Sequence, residues 1–365
     1  NISTLNLWDL ATGKMLREFQ GSAGRVSSVA FRPDGKTLAS GGDDGRVQLW
    51  DVATGKEKFK TGGHRGPVNA VAVGPDGKQI ATGGADATLK LWDIATAQVV
   101  RTIARKLDDG RDAYIGSVAF SPDGERIAAV GAADHVEVWD TTSGAELMNL
   151  RHPADGSWIG TVRFSPDGKW IAVAGGGSKS EDSIHCWDAV TGKEVLRLGT
   201  DDHYASTLAF RPDGQQLVTQ ADVHKPRVYA IPSGKRLLDM DGGASIYNVA
   251  YSPDGEIIVV ATLDIYVFDG TTGKRIRRFT GHDGAAIRDV AFHPYRRLMA
   301  TCATDGTVKL WNLEERFEEL VSTFQLGPSG GTINEVAFTP DGRHLVTANA
   351  NGTVYVLRLR EWAAK

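Results

Sequence analysis

Two sets of residues hold the side chains of acyl-transfer chemistry. His64, Thr82 and Asp86, followed by Trp92, and His282, Thr301 and Asp305, followed by Trp311, each combine an imidazole, a hydroxyl and a carboxylate, the residue types of a nucleophilic triad. In both sets Asp follows Thr by 4 residues and Trp follows Asp by 6. Ser40, Asp44 and Trp50 repeat the spacing, with Ser22 where the histidine would stand. A triad nucleophile of this kind commonly sits on a strained G-x-S-x-G turn, and none accompanies these sets. A buried histidine facing a carboxylate, a hydroxyl and an indole can instead satisfy every polar group and stiffen the surrounding structure. Recurrence of the set favours that structural role, so no catalytic residue is expected.

The remaining chemical signals are thinner. Gly175 to Ser180 reads Gly-Gly-Gly-Ser-Lys-Ser, but the Gly-Lys-Ser/Thr order of a phosphate loop and a following helix are missing, which leaves a flexible insertion between strands. Asp201-Asp202-His203 offers possible metal ligands without a second His or Cys set at suitable spacing, and reads as a solvated loop. Cys186 and Cys302 are expected to be small core residues. No metal and no cofactor is expected. Lys274, Arg275, Arg277, Arg278, Arg288, Arg296 and Arg297 form a basic group with Glu314, Glu315, Glu318 and Glu319 nearby. Its first four members suit an outer strand and its turn, where charge blunts an exposed edge.

Composition narrows the classes further. The 365 residues carry 41 Lys and Arg against 45 Asp and Glu, a net charge of −4, so the global attraction to nucleic acid is missing. No apolar run approaches eighteen residues, which argues against a membrane-spanning helix. Two cysteines cannot build a disulfide framework, so the chain suits a reducing compartment such as the cytoplasm, where it is expected, or simply does not depend on redox. Length alone suggests two or three domains.

The repeats argue otherwise. An aromatic or aliphatic residue, one further residue and then Pro-Asp-Gly appear at 31–35, 73–77, 120–124, 164–168, 210–214, 251–255 and 338–342, with Phe292-His293-Pro294-Tyr295-Arg296 as a degenerate eighth copy. Pro presets one turn dihedral and Gly accepts positive φ, so each copy predicts a hairpin turn. A second marker is an alternating run ending in Trp-Asp at Trp8, Trp50, Trp92, Trp139 and Trp187, drifting to Tyr229, Phe268, Trp311 and Leu357. Successive positions lie 39 to 48 residues apart. Each period holds about four short β-rich runs, the sequence form of a β-propeller blade.

On these two markers the chain resembles the WD40-repeat β-propeller family, with repeats of bacterial type. The resemblance implies an all-β propeller of eight four-stranded blades closed by N- and C-terminal strands, forming one domain over residues 1–365. Both Leu5–Trp8 and Val354–Leu357 claim the third position of the closing blade, so one strand is surplus: either an extra edge strand is present, or the chain is a fragment of a longer protein. In such blades His64, Thr82, Asp86 and Trp92, like His282, Thr301, Asp305 and Trp311, correspond to the structural tetrad.

The start of each first strand bears on function. Five residues before the aromatic position that precedes each turn stand Val26, Val68, Ile115, Ile159, Ala205, Ile246, Ile287 and Ile333, which should face the core. Residues six and four before should point the other way. Among them are Tyr114, Trp158, Tyr204 and Tyr247 from four consecutive units, with Arg288 and Arg25 further round. None of these flanking positions is Asp, Glu or His. The family resemblance implies that this zone rims the channel on the top face, where relatives often bind peptides. The expectation is a non-enzymatic scaffold that binds a protein or peptide through these six residues. Alternatives are that these residues merely plug the wide mouth of an eight-bladed channel, that the chain is an oligomerisation module using the surplus strand, or that a small-ligand or enzymatic site lies in the channel.

Overall fold

The computed structural model describes residues 3–9, 14–22, 26–54, 56–60, 64–96, 98–105, 113–131, 135–152, 158–176, 183–199, 205–222, 225–243, 245–314, 320–325, 332–338, 342, 344–349 and 354–358. They form seven four-stranded antiparallel sheets, here blades I to VII, at residues 26–60, 68–104, 115–151, 158–198, 208–239, 248–279 and 287–325. An additional, closing sheet has five strands, in the order Lys14–Ser22, Ser3–Asp9, Val354–Arg358, His344–Asn349, Ile333–Phe338. The expectation of eight four-stranded blades is therefore corrected to seven, because the N-terminal hairpin adds to the C-terminal strands without replacing any of them. No helix among the described residues is long and apolar enough to cross a membrane.

Local chemistry explains the blades. In the Pro-Asp-Gly turns each glycine has φ between 67° and 76°, a region side-chain-bearing residues avoid. The turn aspartates accept a backbone N–H two residues on, as in Lys36 to Asp34 at 2.9 Å and Lys78 to Asp76 at 2.8 Å. In the degenerate copy His293 substitutes: its Nδ1 accepts the Tyr295 amide at 3.1 Å and its Nε2 lies 3.1 Å from the Gly342 carbonyl. The aspartates after Trp50, Trp92, Trp139 and Trp187 hold the next turn, with Asp93 accepting both the amide and the hydroxyl of Thr96 at 2.8 Å.

The core lies between blades. Ala39, Val47 and Leu49 of blade I pack with Val68, Ile80 and Trp92 of blade II, and the same pairing recurs round to blade VII and the closing sheet. Ile333–Phe338 of the closing sheet also contacts the first strand of blade I, Val26–Phe31, which completes a ring with the first strands innermost. Burying each large aliphatic side chain contributes about 1.5–3 kcal/mol, so every blade depends on both neighbours.

Strand register departs from simple alternation at one place. In blades I to IV, blade VII and the closing sheet the pairing shifts by a residue within the first strand, between Val26 and Ser28, Val68 and Ala70, Ile115 and Ser117, Ile159 and Thr161, Ile287 and Asp289, and Ile333 and Glu335. The skipped residue is the one four before the turn aromatic. Such a bulge re-aims side chains, and this sets what the candidate rim residues can do.

Candidate functional site

The two His-Thr-Asp-Trp sets assemble as continuous chains of hydrogen bonds. In blade II the Trp92 indole N–H donates to Thr82 Oγ1 at 2.8 Å, Thr82 Oγ1 is 2.8 Å from His64 Nε2, and His64 Nδ1 is 2.9 Å from Asp86. Blade VII repeats this with Trp311, Thr301, His282 and Asp305 at 2.8, 2.8 and 2.9 Å. The network assigns the proton: Thr82 accepts from the indole and donates to Nε2, which leaves Nδ1–H to donate to the carboxylate. Burial lowers the histidine pKa in both sets, against the opposing pull of the aspartates. For Asp86 burial acts upward, but hydrogen bonds from the Arg65 amide, His64 and Thr88 outweigh it and hold the carboxyl at about 2. Gly84 is required by this packing, since a Cβ there would stand 2.4 Å from His64 Nδ1. In blade I, Trp50 donates to Ser40 at 3.0 Å.

Blades III and IV fill the histidine's place differently, which the sequence spacing did not reveal. Arg105, 1% exposed, stands before the first strand of blade III. It pairs with the Glu137 carboxylate and donates to the His135 carbonyl at 2.7 Å. Burial raises the Glu137 pKa, and Arg105 only partly counters it. In blade IV the buried His152 ring lies 4.2 Å from that of His185, which stacks on Trp187 at 5.6 Å and donates from Nδ1 to Glu194 at 2.5 Å.

The rim residues separate into placed and unplaced. Tyr114 and Tyr247 are each 36% exposed, and Arg288 is exposed. Trp158 begins the first strand of blade IV opposite Gly176, with its side chain outside the described residues. Arg25 and Tyr204 also lie outside them. The eight apolar positions five before the turn aromatic are all buried, none more than 4% exposed. Their neighbours one residue on do not share a common outlook. The Ser27 hydroxyl donates to the Val68 carbonyl, and Asn69 Nδ2 donates to the Ile115 carbonyl at 3.0 Å. In blades I and II this position therefore ties one blade to the next, whereas in VI and VII it presents Tyr247 and Arg288 outward.

The innermost strands also hold a carboxylate, which the rim positions lack. Asp289 Oδ1 accepts from Asn248 Nδ2 at 2.9 Å and Oδ2 from the Val336 amide at 3.0 Å, joining blade VI, blade VII and the closing sheet. Burial pushes its carboxyl up to about 6, opposed by the Val336 and Val290 amides and by Arg163. Arg163 is exposed and stands directly before the turn aromatic, where the other seven units have Ala30, Ala72, Ala119, Ala209, Ala250, Ala291 and Ala337. That lone exception was the available signal. No group of three or more His, Cys, Asp or Glu able to hold a metal occurs among the described residues. Asp201-Asp202-His203 lies outside them, as do residues 177–182 of the Gly-rich segment. Cys186 and Cys302 are buried, and burial raises the Cys186 thiol. Part of the basic group is engaged: Arg278 pairs with Asp264 at 2.6 Å, and Arg297 pairs with Glu256.

Comparison with known proteins places this architecture. The family described as WD domain, G-beta repeat matches residues 13–51, 55–93, 102–140, 145–188, 273–312 and 318–357. Among curated relatives, actin-interacting protein 1 of Drosophila melanogaster is 29% identical over 39% of this chain and 24% of its own length. Autophagy-related protein 18 of Schizosaccharomyces pombe is 34% identical over 22% of this chain and 24% of its own length. The serine-threonine kinase receptor-associated protein of Gallus gallus is 29% identical over 37% of this chain and 38% of its own length. The chain thus spans well under half of each relative, and these relatives lend no support to the bacterial qualifier. Among solved structures, the computationally designed Ika8 protein superposes with a TM-score of 0.77 at 24% identity, covering 93% of this chain and 98% of that one, a likeness of fold.

Proposed function

The chain belongs to the WD domain, G-beta repeat family, and from that premise we propose that it is a non-enzymatic docking module, one propeller over residues 1–365, that binds a protein or peptide on the face where the first strands begin. The observation that carries the reading is the pair Tyr247 and Arg288. They occupy, on adjacent blades, the position that Ser27 and Asn69 use to hold neighbouring blades together, yet both point outward. An exposed tyrosine and arginine are side chains that dominate interface energetics, and the arginine suits a carboxylate or phosphate on the partner. Tyr114 continues the surface in blade III, and Trp158, Tyr204 and Arg25 extend it by their place in the repeat. Two relatives are named for protein partners, actin and a serine-threonine kinase receptor, which supports a protein occupant over a small molecule. The tetrads serve the blades: each polar atom in them has a partner, and the set recurs in two separate blades.

The test is peptide selection by phage display against the intact chain, followed by binding measurements on the selected peptides. Tyr247→Ala with Arg288→Ala should weaken binding at least tenfold without lowering the melting temperature. Tyr295→Ala, at a residue 75% exposed in a turn between first and second strands, should leave binding unchanged. Unchanged affinity in the double variant refutes the reading.

A further inference from the structure

The N-terminal hairpin enters the closing sheet by an unusual joint. Ser3–Asp9 pairs in parallel with Val354–Arg358 through Asn6–Tyr355, Leu7–Val356, Trp8–Leu357 and Asp9–Arg358. The other described strand pairs, the hairpin's own included, are antiparallel. The joint is parallel because its two members are the same kind of strand: each is the third strand of a repeat, and Trp8 meets Leu357 at the equivalent position.

In each blade that position pairs with the second strand. Trp50 faces Leu38, Trp92 faces Ile80 and Trp311 faces Met299, and in the closing sheet Leu357 faces Leu345. Two residues beyond each of these partners stands the hydroxyl of Ser40, Thr82 or Thr301, which takes the indole N–H ten residues on. Thr347, fully buried, is the counterpart in the closing sheet. Ten residues after it stands Leu357, whose side chain has no N–H, whereas the Trp8 indole has one. The hairpin also reads Leu7-Trp8-Asp9-Leu10-Ala11-Thr12-Gly13-Lys14 against Leu49-Trp50-Asp51-Val52-Ala53-Thr54-Gly55-Lys56 of blade I. It carries its own fourth strand, Lys14–Ser22, now one place too far from the second strand.

We propose that the closing sheet exchanges between two closures: the one described, and one in which Ser3–Asp9 takes the seat beside His344–Asn349, with Trp8 opposite Leu345 and Lys14–Ser22 as fourth strand. Val354–Arg358 is then released. The second closure makes the closing sheet an all-antiparallel four-stranded blade like the other seven and gives Trp8 the register relative to Thr347 that Trp50, Trp92 and Trp311 have relative to Ser40, Thr82 and Thr301. The register of the two closures is the same, so the exchange requires no slip that would turn side chains to the wrong face.

Paired cysteines separate the two states. In the described closure Asp9 and His344 are two strands apart, roughly 9–10 Å, beyond disulfide reach. In the second closure they are opposite each other. Full-length chain with Asp9→Cys and His344→Cys, oxidised with glutathione disulfide at low protein concentration, should form an intramolecular disulfide between those positions, mapped by digestion. Asp9→Cys with Arg358→Cys, neighbours in the described closure, should also crosslink. A disulfide only in the second variant, in neither, or only between two molecules overturns the exchange. An independent readout needs no cysteine: with 5-fluorotryptophan incorporated, the fluorine signal lost in Trp8→Phe should be two resonances in the unaltered sequence. A single Trp8 resonance also overturns it.

Discussion

Replacing Thr82 by Val tests whether the His-Thr-Asp-Trp sets hold the blades or perform chemistry. The change keeps the shape of a fully buried side chain and deletes its hydroxyl. Two polar groups then lose partners where water does not reach: the Trp92 indole N–H, in a residue 1% exposed, and His64 Nε2, in a residue 8% exposed. An unsatisfied buried group costs about 1–3 kcal/mol, so Thr82→Val should lower unfolding free energy by about 2–5 kcal/mol. Blade I provides the internal comparison, because the Ser40 hydroxyl serves the Trp50 indole while Ser22 replaces the histidine. Ser40→Ala removes one such interaction and should cost about 1–3 kcal/mol by the same figure. Equilibrium urea unfolding, followed by tryptophan fluorescence, reads both variants from midpoint and slope. A cost for Thr82→Val of under about 0.5 kcal/mol, within the range of ordinary surface substitutions, would refute the structural account. So would loss of labelling by an acylating probe at unchanged stability, the result a nucleophilic threonine demands.

Two further outcomes follow from buried charge. His64 and His282 are held below the ordinary histidine value of 6.5, and Asp86 at about 2 against 3.8, so their contributions are present above the unfolded values and fade as pH falls through them. Asp289, raised to about 6, acts with the opposite sign: its contribution is complete below 3.8 and is lost as pH rises through about 6. The stability gap between the unaltered chain and His64→Gln should narrow from pH 7 down to 4.5, and the gap to Asp289→Asn should narrow from pH 4 up to 7; gaps that stay constant refute the assignments. Arg105→Met should cost about 3–5 kcal/mol by stranding the Glu137 carboxylate, and adding Glu137→Leu should recover most of it. Equal loss in single and double variants, measured by urea unfolding, contradicts a mutually neutralised pair.

The blade pattern was legible because its signals are local. A Pro-Asp-Gly turn requires only that one glycine adopt positive φ and one aspartate reach the second following amide, and both conditions lie within five residues. The tetrads were legible for a related reason: Thr to Trp at +10 spans one hairpin, and its fixed register brings hydroxyl and indole together. Arg105 escaped notice because guanidinium, carboxylate and backbone carbonyls meet through tertiary packing, with Glu137 32 residues away. His152 and His185 escaped for the same reason, their contact joining a loop to a third strand.

The rim was the least legible part, and in six of the eight sheets the bulge contributes to that. Alternation predicts that residues six and four before the turn aromatic look the same way, but a register shift at the latter breaks the period where it was being used. The small polar residues there, Ser27 and Asn69, turn sideways to the next blade's carbonyls. Arg288, at the same bulged position of blade VII, is exposed instead, and Tyr247 of blade VI stands exposed just before a first strand that pairs without a shift. The same reasoning gives the alanines before the turn aromatic their meaning: seven units fill that inner position with a methyl group, and the eighth places Arg163 there, electrostatically coupled to the carboxylate of Asp289. Departures from the repeat therefore mark where its own geometric role has been given up, and among the described residues the outward Tyr247 and Arg288 on blades VI and VII are such departures, which is why the proposed docking surface is centred on them.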